Sequence, residues 1–139
     1  LTLYEWIEFY NKKNPNDPFR PTEGFEFFFV PDRGFCEIRI LGDMVILGQL
    51  AGDALFFKEK VEEVARQLGL REGGTLCIRK EILAYIRLFG YRIDRTENLP
   101  DGTRRYFCAH RDTGKWGVVS PGYTYNKTGD IAYLITWEI

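Results

Sequence analysis

The stretch from Met44 to Leu68, MVILGQLAGDALFFKEKVEEVARQL, constrains the fold more than any other part of the chain. Met44 to Leu47 is a short apolar run without alternation, the pattern of a strand buried on both faces and therefore central in a sheet. A tight Gly48-Gln49-Leu50-Ala51-Gly52-Asp53-Ala54 turn follows. From about Ala54 to Leu68 the residues Ala54, Leu55, Phe57, Val61, Val64, Ala65 and Leu68 recur on one side of a helix. Lys58, Glu59, Glu62, Glu63 and Arg66 take the other side, and Gly69 suits the position just past the helix end. A strand, loop and helix in this order aims the unpaired N–H groups of the helix start beyond the strand, which makes a potential anion site.

The segments on either side extend the pattern. Leu3 to Lys13 places Leu3, Trp6, Ile7 and Tyr10 at helical spacing, with Thr2 as N-cap and Glu5 completing a capping box, and Asn14 to Pro18 ends it. From Phe25 the period becomes two. Phe25 to Val30 reads as a largely buried strand, Pro31 to Gly34 as a turn, and Cys36 to Leu41 as a strand with Cys36, Ile38 and Ile40 inward and Glu37 and Arg39 outward. Gly42-Asp43 fits a two-residue hairpin. Beyond the central helix, Thr75 to Arg79 reads as a short strand, parallel to the central one if the helix is a right-handed crossover. Lys80 to Phe89 reads as a helix closed by Gly90, and Tyr91 to Thr96 with Thr103 to His110 as a hairpin about Asn98 to Gly102. Trp116 to Ser120 is a further strand. Ile131 to Ile139 alternates, with Ile131, Tyr133, Ile135, Trp137 and Ile139 on one face.

Composition removes several function classes. The 139 residues suit one domain, and 45% hydrophobic content excludes a disordered tail. A net charge of −1 disfavours binding to a nucleic-acid backbone. The two halves, −4 over residues 1–70 and +3 over residues 71–139, read as ordinary solvated surfaces. Cys36, Cys77 and Cys108 share no CxxC spacing and read as buried thiols of a reducing compartment. With one histidine, His110, no metal site is expected. No apolar run has the roughly 20 residues of a membrane span, and no signal-peptide pattern opens the sequence. The expected location is cytoplasmic, with neither nucleic acid nor membrane as partner.

The order of helix, three antiparallel strands, loop, helix, strand, helix and hairpin resembles the GNAT superfamily of acetyl-CoA-dependent N-acetyltransferases. The family's cofactor motif, [Gln/Arg]-x-x-Gly-x-[Gly/Ala], is matched by Gln49-Leu50-Ala51-Gly52-Asp53-Ala54, and its later helix-to-Gly-Tyr signature by Tyr85-Ile86-Arg87-Leu88-Phe89-Gly90-Tyr91. The resemblance implies an α+β fold, a mostly antiparallel twisted mixed sheet with flanking helices. It further implies one GNAT-like domain over residues 1–139, with an additional β segment at about 116–139. Acetyl-CoA is the implied co-substrate and a small-molecule or peptide amine the acceptor. The backbone of Val45, Ile46 and Leu47 would hold pantetheine, and Gln49, Leu50, Ala51, Gly52, Asp53 and Ala54 the pyrophosphate. Gly52 would permit close approach of backbone to phosphate.

The catalytic candidates are fewer. The family's tyrosine acid falls on Ile86 here, so Tyr85 is the acid candidate, rotated by about 100°. Glu37 and Asp43 are candidate bases for the amine, both also readable as solvated residues. Asp53 has a second reading as the N-cap of the helix. Two functions follow: an N-acetyltransferase moving an acyl group from acetyl-CoA to an amine, or a catalytically inactive GNAT-like binding or assembly module. In the second, the C-terminal strand offers an edge to another subunit and makes a homo-oligomer.

Overall fold

The computed structural model describes residues 1–77, 81–124 and 129–139, and the chain forms two compact units, Leu1–Arg71 and Glu72–Ile139. The expected strand end at Ile78 and Arg79, and Lys80 of the following helix, lie outside the described residues. The class is α+β, with three helices and eight strands among the described residues and antiparallel pairing within each unit.

The first unit contains α1 (Leu3–Lys13), β1 (Glu26–Val30), β2 (Gly34–Leu41), β3 (Met44–Gly52) and α2 (Ala54–Gln67), with the strands in the order β1-β2-β3. Thr2 and Glu5 exchange the two hydrogen bonds of the capping box that starts α1. Gly42 and Asp43 form the β2–β3 turn, with Gly42 at φ +60°. Helix α2 ends in a Schellman arrangement. The Leu70 N–H donates to the Ala65 carbonyl and the Gly69 N–H to the Arg66 carbonyl, with Gly69 at φ +73°.

Three readings of this unit change. β3 runs on through Gly48 to Gly52 instead of stopping at Leu47, so most of the expected loop is strand. The reason lies in β2, whose start at Gly34 supplies ladder partners for these residues. β1 is an outer strand rather than a largely buried one, with Phe27 41% and Phe28 43% exposed. On α2 only Phe57, Val61 and Ala65 are buried, one residue per turn, while Leu55, Val64 and Leu68 are exposed. Its apolar stripe is narrower than the periodicity suggests.

The second unit contains β4 (Glu72–Cys77), α3 (Ile82–Leu88), β5 (Tyr91–Asn98), β6 (Arg104–His110), β7 (Trp116–Thr124) and β8 (Ile131–Glu138). The order is β4-β8-β7-β6-β5, all antiparallel. Three successive hairpins build β5 to β8, and the last strand returns beside β4. Its core joins Ile82 and Ile86 of α3 to Tyr91, Cys108, Val119 and Trp137. Tyr133, Ile135 and Ile139 pack on the same cluster, as the alternation of the C-terminal stretch requires.

The C-terminal segment is thus internal. β8 has β4 on one side and β7 on the other, so it presents no open edge to a second subunit.

Candidate functional site

The start of α2 is built by two strands that meet at glycines. Leu50, Ala51 and Gly52 are ladder partners of Cys36, Phe35 and Gly34. Gly34 and Gly52 face each other at φ +120° and +103°, and a Cβ on Gly52 would run into the Arg33 carbonyl. The glycine of the motif is therefore required by the close approach of the two strands, whatever lies beyond them.

Part of the backbone expected to face a pyrophosphate is turned toward β2. Besides the ladder, the Asp53 N–H donates to the Arg33 carbonyl at 2.8 Å. Asp53 is the N-cap of α2, its Oδ1 accepting from the Phe56 N–H at 3.0 Å, while the Phe57 N–H reaches the Asp53 carbonyl. The Ala54 and Leu55 amides, the first two of the helix, have no protein acceptor among the described residues, and because the Asp53 N–H faces β2 the alternation of the ladder turns the Leu50 and Gly52 N–H groups away from it.

Asp53 Oδ2 is paired with Arg33 at 2.8 Å, and the guanidinium of Arg33 also lies 4.9 Å from the centre of the Phe56 ring. The cap hydrogen bond from Phe56, and then the Arg33 bond, hold the Asp53 carboxyl below its ordinary value. An ionised carboxylate thus sits where the helix dipole would favour an anion, its charge already met by Arg33. Arg33 has no sequence signal of its own: it belongs to the β1–β2 turn and comes into place only through the pairing of Gly34 with Gly52.

Gln49 and Glu37 form a second feature. Cys36 pairs with Leu50 and Ile38 with Leu47, so Gly48 and Gln49 together oppose Glu37. This bulge breaks the alternation, and Glu37 is 2% exposed instead of outward-facing. It is the one charged side chain buried among the described residues. Its Oε1 accepts from the Thr22 N–H at 2.9 Å, and its Oε2 lies 3.3 Å from Gln49 Nε2. The same Nε2 is 2.6 Å from the Arg20 carbonyl and 3.1 Å from Thr22 Oγ1. Gln49, the first residue of the motif, turns toward Glu37 and the connection between α1 and β1. Phe19 of that connection completes an aromatic cluster with Tyr10, Phe27 and Phe35, its ring 4.8 Å from that of Phe35. Gly48 leaves room for the Phe25 ring, which would lie 3.0 Å from a Cβ there.

Burial keeps the neighbouring thiol protonated: Cys36 is pushed up to about 12, with the Glu37 charge adding to the effect. Val45 and Leu47 direct their side chains into the core, while Ile46, half-buried, pairs with Arg39. Asp43 is exposed in the β2–β3 turn.

Tyr85 lies half-buried on α3, and its neighbour Ile86 is in the core. The two catalytic candidates belong to different units, Glu37 to the first and Tyr85 to the second. His110 is held structurally. Its ring stands edge-on to Tyr91 at 5.2 Å and over Gly90, and its Nδ1 accepts from the Asp112 N–H. No group of three potential metal ligands occurs among the described residues. No helix among them is long and apolar enough to cross a membrane.

No family model matches the chain, and no curated protein does. Among solved structures the fold is similar to the PaiA N-acetyltransferase from Thermoplasma acidophilum, in complex with coenzyme A, at 12% identity and a TM-score of 0.43. The match covers 80% of this chain and 60% of that protein, so the chain spans less than two thirds of that protein's length.

Proposed function

We propose that the chain is a GNAT-like domain that keeps the strand and helix of an acetyl-CoA-dependent N-acyltransferase without using them for acyl transfer, and that it serves as a binding or assembly module. The family part of this reading is supported by the motif Gln49 to Ala54 running from the end of β3 into α2, and by the observed order of α1, three antiparallel strands, α2, β4, α3 and the β5–β6 hairpin. Loss of transfer is carried by one observation: the Asp53 carboxylate caps α2 and pairs with Arg33 where a pyrophosphate would lie. The residues do not fit that group, since an ionised carboxylate already paired with Arg33 stands beside the Ala54 and Leu55 amides at the helix start. Titration calorimetry with acetyl-CoA is the test. Absence of saturable heat at millimolar ligand is expected, and saturable binding with turnover of an amine would overturn the reading.

A second reading, an active N-acetyltransferase acting on a small-molecule or peptide amine, is favoured by the burial of Glu37. A carboxylate withdrawn from water beside the motif is the kind of group that accepts an amine proton. Against it, both Glu37 oxygens are already engaged, Oε1 by the Thr22 N–H of the α1–β1 connection and Oε2 by Gln49 of β3. Slow acetylation of added amines that disappears in Glu37→Gln with the fold intact would favour this second reading.

A further inference from the structure

Glu37 is a buried carboxylate without a cation. It is 2% exposed, and no lysine or arginine among the described residues pairs with it. Its two hydrogen-bond donors, the Thr22 N–H and the Gln49 carboxamide, are both neutral. A carboxylate withdrawn from water is normally matched by a positive charge, because burying an ion is costly when nothing nearby compensates it.

The Gln49 side chain ends at a point where oxygens converge. Its Nε2 lies 2.6 Å from the Arg20 carbonyl, 3.1 Å from Thr22 Oγ1 and 3.3 Å from Glu37 Oε2. A carboxamide nitrogen carries two hydrogens, so three acceptors share two donors there. An ammonium group has a hydrogen for each of the three, and it brings the positive charge that the carboxamide lacks. Gln49 is half-buried, and its bonds to Arg20 and Thr22 lie at the surface, so its side chain can leave this point by rotation alone.

We propose that these three oxygens form a binding site for an ammonium group, either the free ion or the head of a primary amine, and that the Gln49 carboxamide fills the site until such a group arrives. Glu37 Oε2, Thr22 Oγ1 and the Arg20 carbonyl each accept one N–H of the ligand, and Gln49 turns aside. The ligand is held as a cation. An acyl acceptor would have to lose a proton before attack, so the arrangement suits binding without transfer. The proposal rests on the binding-module reading above and gives that module its ligand class. Its test uses no acetyl-CoA, so it and the acetyl-CoA titration can fail separately.

The test is a nuclear magnetic resonance titration of the 15N-labelled chain at constant ionic strength. Ammonium chloride and methylammonium chloride are the probes, and tetramethylammonium chloride, which has the charge but no N–H, is the control. Saturable shifts of the Thr22 amide and of the Gln49 side-chain NH2 pair are expected with both probes, in the millimolar range suited to so small a ligand, and none with the control. A tighter response to methylammonium assigns the site to an amine head, and a tighter response to ammonium assigns it to the free ion. Gln49→Ala removes the resident carboxamide and should tighten binding, read at Thr22, at least about tenfold, because no part of the population is then blocked. Glu37→Gln, shown to be folded by far-UV circular dichroism, should abolish it. Absence of a saturable shift in the native chain overturns the proposal. So does an equal response to tetramethylammonium, no gain in Gln49→Ala, or unchanged binding in Glu37→Gln.

Discussion

Asp53 and Glu37 each do structural work at positions where chemistry was expected. Asp53 closes the start of α2 through Phe56 and Arg33. Its replacement by alanine is expected to cost about 1 kcal/mol, read as a lower melting temperature, whereas Asp53→Ser keeps a capping oxygen and costs less. The pH dependence has a definite sign. The folded carboxyl is held below its unfolded value of about 3.9, so the stabilisation is complete above that pH and is lost as pH falls through the lower, folded value. The gap in stability between the native chain and Asp53→Ala should therefore narrow only on acidification below about pH 4. Glu37 acts at longer range in sequence, fixing Thr22 across the β2–β3 bulge. Glu37→Ala removes the acceptor of the Thr22 N–H, and that amide is expected to exchange with solvent at least about tenfold faster, since hydrogen bonds to charged groups contribute roughly 1.5 to 3 kcal/mol. Unchanged exchange at Thr22 would mean that the α1–β1 connection is held by its aromatic cluster alone.

At the scale of elements, the existence and order of the helices and strands were legible, because their signals are local. Thr2 with Glu5, Gly42 with Asp43, and Gly69 after the amphipathic run each specify a cap or turn through backbone chemistry within a few residues. What could not be read was pairing. β3 reaches Gly52 because β2 begins at Gly34, and Glu37 is buried because two residues of β3 oppose it. Both facts depend on residues more than ten positions apart in the chain. The same holds for β8, whose alternation disclosed a strand but not that β4 and β7 flank it. Helix α2 gives a measurable instance, since periodicity groups Leu55 with Phe57 while burial separates them. Phe57→Ala should cost about 3 to 5 kcal/mol, as for other buried aromatics. Leu55→Ala should stay within about 0.5 kcal/mol, as at other surface sites. Equal losses at the two positions in urea unfolding would show that α2 buries the wider stripe.

For the molecule as a whole, the resemblance carried by Gln49 to Ala54 and by Phe89-Gly90-Tyr91 named a fold class that the α+β architecture bears out. The chemistry attached to that resemblance meets a different environment. Gln49 turns to Glu37, Gly52 is set against Arg33, Asp53 caps α2, and Ile86 lies in the core where a tyrosine acid would stand. A motif records which residues stand in sequence, while the partners of each are decided by strand pairing and by the charge a neighbour brings. The central claim is that the anion position at the start of α2 is taken by the chain's own carboxylate. Nuclear magnetic resonance of the 15N-labelled chain, titrated with coenzyme A to millimolar concentration, tests it most directly through the Ala54 and Leu55 amides. Those two amides should stay in place in the native chain. Saturable shifts at both, with the Asp53 cap intact, would contradict the claim.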